Sequence, residues 1–218
     1  MTLRIDELTF RYKTGLPEIF SHLSYEFPAG KLTALTGPSG CGKSTLLYVL
    51  GLMLSPTAGR VSYNDKSLSE LDDCQRSAFR AREIGFIFQD SELDAFRPIL
   101  ESVIEPGLYA GLKATKLRRI GLQLLTHVGL GDQAEQKPTH ISGGQGQRAA
   151  VARALINDPA IILADEPTGN LDRDNAAIVL DLLQTAASEG RTVVVATHDP
   201  FVKDACDCVI DIAEERDG

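Results

Sequence analysis

The chain has 218 residues, enough for one sizeable core and a subdomain, and its 43% hydrophobic and 24% charged content is that of a globular protein. With 22 basic and 30 acidic residues the net charge is −8, which argues against a nucleic-acid binder, since those carry a basic surplus or stripe. No apolar run approaches the roughly 20 residues needed to cross a bilayer, and "MTLRIDELTF" lacks the basic-then-apolar order of a signal peptide, so a cytoplasmic location is expected.

The first strong element is "LTALTG" (Leu32–Gly37), a short, almost continuously apolar run of the kind buried on both faces of a parallel sheet. It runs into "GPSGCGKS" (Gly37–Ser44), which fits G-x-x-x-x-G-K-[ST] and precedes the helical "STLLYVLGLML". Such a loop curls its backbone N–H groups around phosphate oxygens, and the following helix presents its N-terminus to the same anion. Lys43 is expected to reach the β- and γ-phosphates and Ser44 to bind Mg²⁺. Cys41 lies in this loop beside Lys43 and a helix N-terminus, where a thiol pKa tends to fall, so a reactive thiol is expected. Cys74, Cys206 and Cys208 complete the cysteines; none shows CxxC spacing, so reduced thiols are expected and a zinc site is not.

The second strand is "IGFIFQ" (Ile84–Gln89). From 89 to 156 the chain reads as mostly helical, with Phe96, Ile99 and Leu100 spaced to share one helical face. That face is expected either to receive a partner helix or to pack inward. This stretch ends in "ISGGQGQR" (Ile141–Arg148), where Ser142 is a good N-cap and Gln145, three residues on, completes a capping box. The helix is expected to run to Ile156 and stop near Pro159.

"AIILADE" (Ala160–Glu166) and "TVVVATH" (Thr192–His198) are the third and fourth strands. All four runs end in glycine or a polar residue, and parallel strands would bring those ends to the edge where open α/β sheets bind ligands. Asp165 is expected to hold the Mg²⁺, and Glu166 to orient or deprotonate an attacking water. The fold class is therefore α/β, with helices on both faces of the sheet.

Taken in order, these motifs resemble the ATP-binding subunits of ABC transporters over nearly the whole chain. "GPSGCGKST" resembles their Walker A motif, "FIFQ" the Q-loop, "ISGGQGQR" the signature, "IILADEP" Walker B, "GNLD" the D-loop and "ATHD" the switch histidine. The resemblance implies a P-loop NTPase core with a RecA-like, mostly parallel sheet, an N-terminal antiparallel β region and an inserted helical subdomain. Residues 1–88 and 157–218 would form the core and 89–156 the helical subdomain of one ABC ATPase domain spanning 1–218. ATP and Mg²⁺ are the implied ligands. Gly37, Pro38, Ser39, Gly40, Cys41, Gly42, Lys43, Ser44 and Thr45 would wrap the phosphates, Tyr12 would stack on adenine, and Gln89 would contact the metal or water. In that family the signature of one protomer meets the γ-phosphate held by the other. Ser142, Gly143, Gly144 and Gln145 would then act across a homodimer seam, Gly143 and Gly144 by leaving the approach free of side chains. Asp172 would also cross the seam, and His198 would hydrogen-bond the γ-phosphate.

Within the family, "GNLD", the short C-terminus and the segment up to "FIFQD" look like the ATPases of lipoprotein-release, macrolide-export and cell-division complexes. Their partners are permeases with few membrane spans, so the chain would be membrane-peripheral only through its permease. Gly146, where glutamine is commoner, and "DSELDAFRPILESVIEP" depart from the branch. The competing reading is a soluble ABC-type ATPase acting on DNA or ribosomes; such relatives usually carry coiled-coil insertions, zinc modules or tandem ATPase units.

Overall fold

A computed structural model describes residues 2–213. The chain opens with β1 (Thr2–Phe10) and β2 (Phe20–Pro28), which pair antiparallel. β3 (Leu32–Thr36) leads through a loop into α1 (Lys43–Leu50). β4 (Ala58–Tyr63) and the two-residue β5 (Lys66–Ser67) return to complete a four-stranded antiparallel sheet of order β2-β1-β4-β5. α2 (Asp73–Glu83) starts on a capping box between Asp72 and Gln75 and runs directly into β6 (Ile84–Ile87).

After an irregular stretch, the chain carries three α-helices before the next strand, α3 (Ile99–Tyr109), α4 (Ala114–His127) and α5 (Gly143–Leu155). Gly107 lies where any side-chain carbon would come within 2.2 Å of Leu117, so α3 and α4 touch there almost backbone to side chain. β7 (Ile161–Asp165), α6 (Arg173–Ser188), β8 (Thr192–Ala196), α7 (Pro200–Asp204) and β9 (Cys208–Asp211) close the chain. The second sheet is parallel, with order β6-β7-β8-β3-β9.

Alternation along the strands explains the layers. On β7 and β8, Leu163 and Val194 join a core with α1 and the antiparallel sheet, among them Leu46, Leu50, Ile5 and Phe27. Ile162, Ala164, Val193 and Val195 point the other way, into a core shared with α3–α6. Every residue of β3, β7 and β8 is buried. Each fully buried aliphatic side chain contributes roughly 1.5–3 kcal/mol, so these two cores hold the sheet edge rigid under the site.

The sequence does not announce β9: "CVID" is short, half exposed and acidic at its end, and its strand character comes from pairing with β3 from Thr33↔Cys208 to Thr36↔Asp211. The helix after the phosphate loop is shorter than its apolar run suggests, because Gly51 follows Leu50 and Leu52 adopts φ +56°. The expected shared face of Phe96, Ile99 and Leu100 is corrected. Pro98 caps α3, leaving Phe96 in the preceding loop and 85% exposed, while Ile99 and Leu100 are buried.

Candidate functional site

Parallel pairing places the carboxyl ends of β3, β6, β7 and β8 along one edge, and the chemistry gathers there. After β3 the chain turns at Gly37 (φ +136°), where a side-chain carbon would meet Cys41 Sγ at 2.7 Å. At Gly42 (φ +107°) such a carbon would sit 2.6 Å from Ile19. Both positions therefore require glycine on conformational and steric grounds. Gly42 is also the N-cap of α1 and supplies no side-chain cap, so the first N–H groups of the helix keep their capacity to bind an anion. Lys43 Nζ donates back over the loop to Gly37 O at 2.8 Å and Pro38 O at 3.1 Å. Cys41 is 6% exposed, its sulfur packed under Gly37. The expectation of a reactive thiol is corrected: the close turn that frees the loop N–H groups covers the thiol.

The end of β7 supplies two carboxylates. Ser44 Oγ donates to Asp165 Oδ1 at 2.9 Å, and the Tyr48 hydroxyl stands 3.4 Å from Oδ2. Burial pushes the Asp165 carboxyl up, assisted by the Glu166 charge, while the Ser44 and Tyr48 hydroxyls and Lys43 pull it down. A hydroxyl and a desolvated carboxylate held together are the hard oxygen donors that Mg²⁺ takes, so the residues present fit that ion. Glu166 is held at φ +46° by its N–H bond to Ala196 O (2.9 Å). That bend turns its side chain from the strand line toward β8, where Oε1 meets His198 Nδ1 at 2.6 Å. The Glu166 side chain is 14% exposed and that of His198 72%, so the pair has a dry end and an open end.

Two further loops flank this edge. A side-chain carbon at Gly169 would lie 3.8 Å from Gln89 Nε2 and 3.7 Å from Glu166 Cβ, so Gln89 and Glu166 face the same turn. Tyr12 lies past the end of β1, half exposed, with its ring edge-on to Phe10 and its hydroxyl 2.9 Å from Thr45 Oγ1. It stands over the start of α1.

At the head of α5 the capping box is complete: Ser142 Oγ accepts from Gln145 N at 3.2 Å, and Gln145 Oε1 accepts from Ser142 N at 2.8 Å. The two glycines behave differently. Gly143 faces open space, whereas a side-chain carbon at Gly144 would come within 2.5 Å of Asn175. Gly144 is therefore a packing position, which corrects the expectation that both glycines clear an approach. Asp172 caps α6 and holds Asn175 Nδ2 at 3.0 and 2.9 Å; the Asn175 backbone and side-chain bonds keep its carboxyl below the usual range.

Sequence reasoning missed Tyr48 and Gln147. Tyr48 follows Ser44 by four residues on α1, the spacing that places both beside Asp165. Gln147 is a polar side chain only 3% exposed, and its signal is a position on the buried face of α5.

Comparisons with known proteins agree with this geometry. The family model described as ABC transporter matches residues 20–169, more than half of the chain. An uncharacterized ABC transporter ATP-binding protein of Thermotoga maritima is 42% identical over 91% of this chain and 85% of its own length. The lipoprotein-releasing system ATP-binding protein LolD of Gluconobacter oxydans is 41% identical over 99% and 94%. The macrolide export ATP-binding/permease protein MacB of Hyphomonas neptunium is 41% identical over 99% of this chain, which spans 33% of that relative. Among solved structures, the dimeric bacterial ABC transporter cassette MJ0796 superposes with a TM-score of 0.86 at 35% identity, covering 96% of this chain and 93% of that one. The same cassette bound to ADP and Pi after hydrolysis matches equally at 34% identity.

Proposed function

The chain belongs to the ABC transporter family of ATP-binding cassettes and is an ATPase, and on that premise we propose that it is the motor subunit of a transporter or mechanotransmission complex. Two copies close head to tail on ATP and drive an integral membrane permease with few spans. The likeness to LolD and MacB supports that branch, and the dimeric MJ0796 cassette supports the pairing. The chain itself touches the membrane only through its permease, from the cytoplasmic face; among the described residues no helix is long and apolar enough to cross a bilayer.

One observation carries the catalytic reading: Ser44–Asp165 and Glu166–His198 stand side by side on consecutive residues of one strand end. The loop's backbone N–H groups from Ser39 to Thr45 and Lys43 Nζ hold the β- and γ-phosphates, and the Tyr12 ring covers the adenine. Ser44, Asp165 and Gln89 hold Mg²⁺. When bound, that ion supplies charge neutralisation at the phosphate oxygens. Glu166 takes a proton from water as the water oxygen attacks the γ-phosphorus. The bond to the β–γ bridging oxygen breaks, and ADP leaves with its electron pair. His198 fixes the Glu166 carboxylate and donates to the γ-phosphate. From the partner protomer come the Ser142–Gln145 turn, led by the unhindered Gly143, and Asp172. The N-terminal end of α5 adds a favourable dipole toward the phosphate.

Permease contact is assigned to the cleft of about 200 Å³ lined by Met53, Phe86, Phe88, Pro106, Arg153 and Asn157, with the exposed Phe96 on the loop that leads into α3. This cleft lies where the core strand β6 meets the helices of 89–156, the inserted subdomain of the proposal. Glu166→Gln tests the chemistry: ATP binding is retained and steady-state hydrolysis falls by about 100-fold or more. Near-normal hydrolysis by purified Glu166→Gln overturns the role assignment. Co-purification from membranes, with a permease identified by mass spectrometry, tests the partner.

A further inference from the structure

The segment Phe88–Glu92 has almost no regular structure, yet it is gripped along its length. Gln147 Nε2 donates to Phe88 O at 3.0 Å. Arg153 Nη1 donates to Glu92 O at 2.6 Å. Both donors belong to α5, and Asn170 Nδ2 adds a bond to Asp90 Oδ1 at 3.1 Å from the turn after β7. Just before the first α5 anchor, Gly146 makes room for the chain: a side-chain carbon there would stand 3.2 Å from Ser91 Oγ. Gly146 and Arg153 are seven residues apart, two helical turns, and so share one face of α5. The two departures noted in the sequence, Gly146 and the stretch after Gln89, are thus in contact with each other. Gln147, Gln89 and Gly143 line a single cavity of about 170 Å³.

We propose that Gln147 is a positioning residue for ATP hydrolysis, which fixes Gln89 by holding the carbonyl of the preceding peptide and ties its movement to the head of α5. The bond is part-buried, and it is directed at the peptide that sets where the Gln89 side chain points. Gln147 is 3% exposed, so its amide gives up a well-placed acceptor when Phe88 O moves away. Any displacement of Gln89 therefore drags α5 by Gln147 near its start and Arg153 near its end. The Ser142–Gln145 turn moves with that helix. Occupancy of one nucleotide site is in this way communicated to the surface offered to the other. The inference rests on the reading of Gln89 as the group that meets the γ-phosphate end of ATP.

Gln147→Met keeps the length and volume of the side chain and removes the donor. In the full chain, Gln147→Met should lower kcat by about tenfold while KM for ATP stays within about twofold, the signature of an interaction that acts after binding. Gln89→Ala serves as the control for the underlying reading. If Gln89→Ala leaves kcat unchanged, the assignment of Gln89 itself fails, and the tether with it. If Gln89→Ala lowers kcat, the double variant decides: Gln147→Met should add less than about a twofold further loss, because it acts through a residue already removed. Independent, multiplicative losses overturn the tether while leaving Gln89 in place. So does a Gln147→Met protein whose kcat per ATP-binding site is normal and whose melting temperature alone has dropped. Should Gln147→Met not fold, Gln147→Leu, which also removes the donor while keeping an apolar side chain of similar bulk, carries the same cycle and the same criteria.

Discussion

Glu166 sits in a backbone conformation that side-chain-bearing residues avoid, at a cost of roughly 1–3 kcal/mol, and the neighbouring Ala196 carbonyl holds it there. The motif "ADE" shows that a second carboxylate follows the first; it does not show that the second is bent toward β8 and His198. The same limit applies at Cys41. "GPSGCGKS" makes the phosphate loop legible, but the burial of its thiol depends on how closely Gly37 turns over it. Thiol chemistry gives a direct check. Cys74 is exposed, Cys41 is buried, and burial together with Asp207 and Cys208 pushes the Cys206 thiol up to about 11. A raised pKa means less thiolate at a given pH, so at about pH 8 Cys206 should react slowly. Brief maleimide labelling followed by peptide mapping should find Cys74 modified first and hydrolysis little changed. Cys41 labelled ahead of Cys74, with activity lost, would mean that the loop is more open than described.

Elements with a strong period or a strong cap were legible, and elements made by their neighbours were not. The buried strands β3, β7 and β8 read directly from their apolar runs, and α5 from Ser142 and Gln145, because each signal is local. β9 depends on its ladder with β3, a long-range contact that no short window contains. The start of α3 is hidden for a related reason: helical spacing runs on through Pro98 in the sequence, whereas a proline cap restricts the residue before it to extended backbone. The consequence is measurable. Ile99→Ala should destabilise the protein by roughly 2–5 kcal/mol in urea unfolding, as expected for a buried aliphatic side chain. Phe96→Ala should stay within about 0.5 kcal/mol of the parent, as expected for an exposed one. If Phe96 contributes to permease contact, Phe96→Ala should also leave the membrane fraction while retaining ATP binding. Equal destabilisation by the two variants would return Phe96 to the interior.

At the scale of the whole molecule, a single chain holds two half-sites that face outward. The phosphate loop, Asp165, Glu166 and His198 form one edge, and the capped head of α5 with the open Gly143 forms the other. In the proposed pairing, the exposed glycine turn at Gly143, backed by its capping box, would face the phosphates held by a second copy. In this proposal the dimer is therefore the functional unit, with ATP as its adhesive. Ser142→Arg should leave ATP binding by the monomer intact and prevent pairing, since the added bulk and charge act on the partner's site. The most direct test is sedimentation of Glu166→Gln, which binds ATP without consuming it. It should run as a monomer without nucleotide and as a dimer with saturating ATP, and the added Ser142→Arg should return it to a monomer. An ATP-saturated Glu166→Gln that stays monomeric, or a dimer indifferent to Ser142→Arg, would contradict the account.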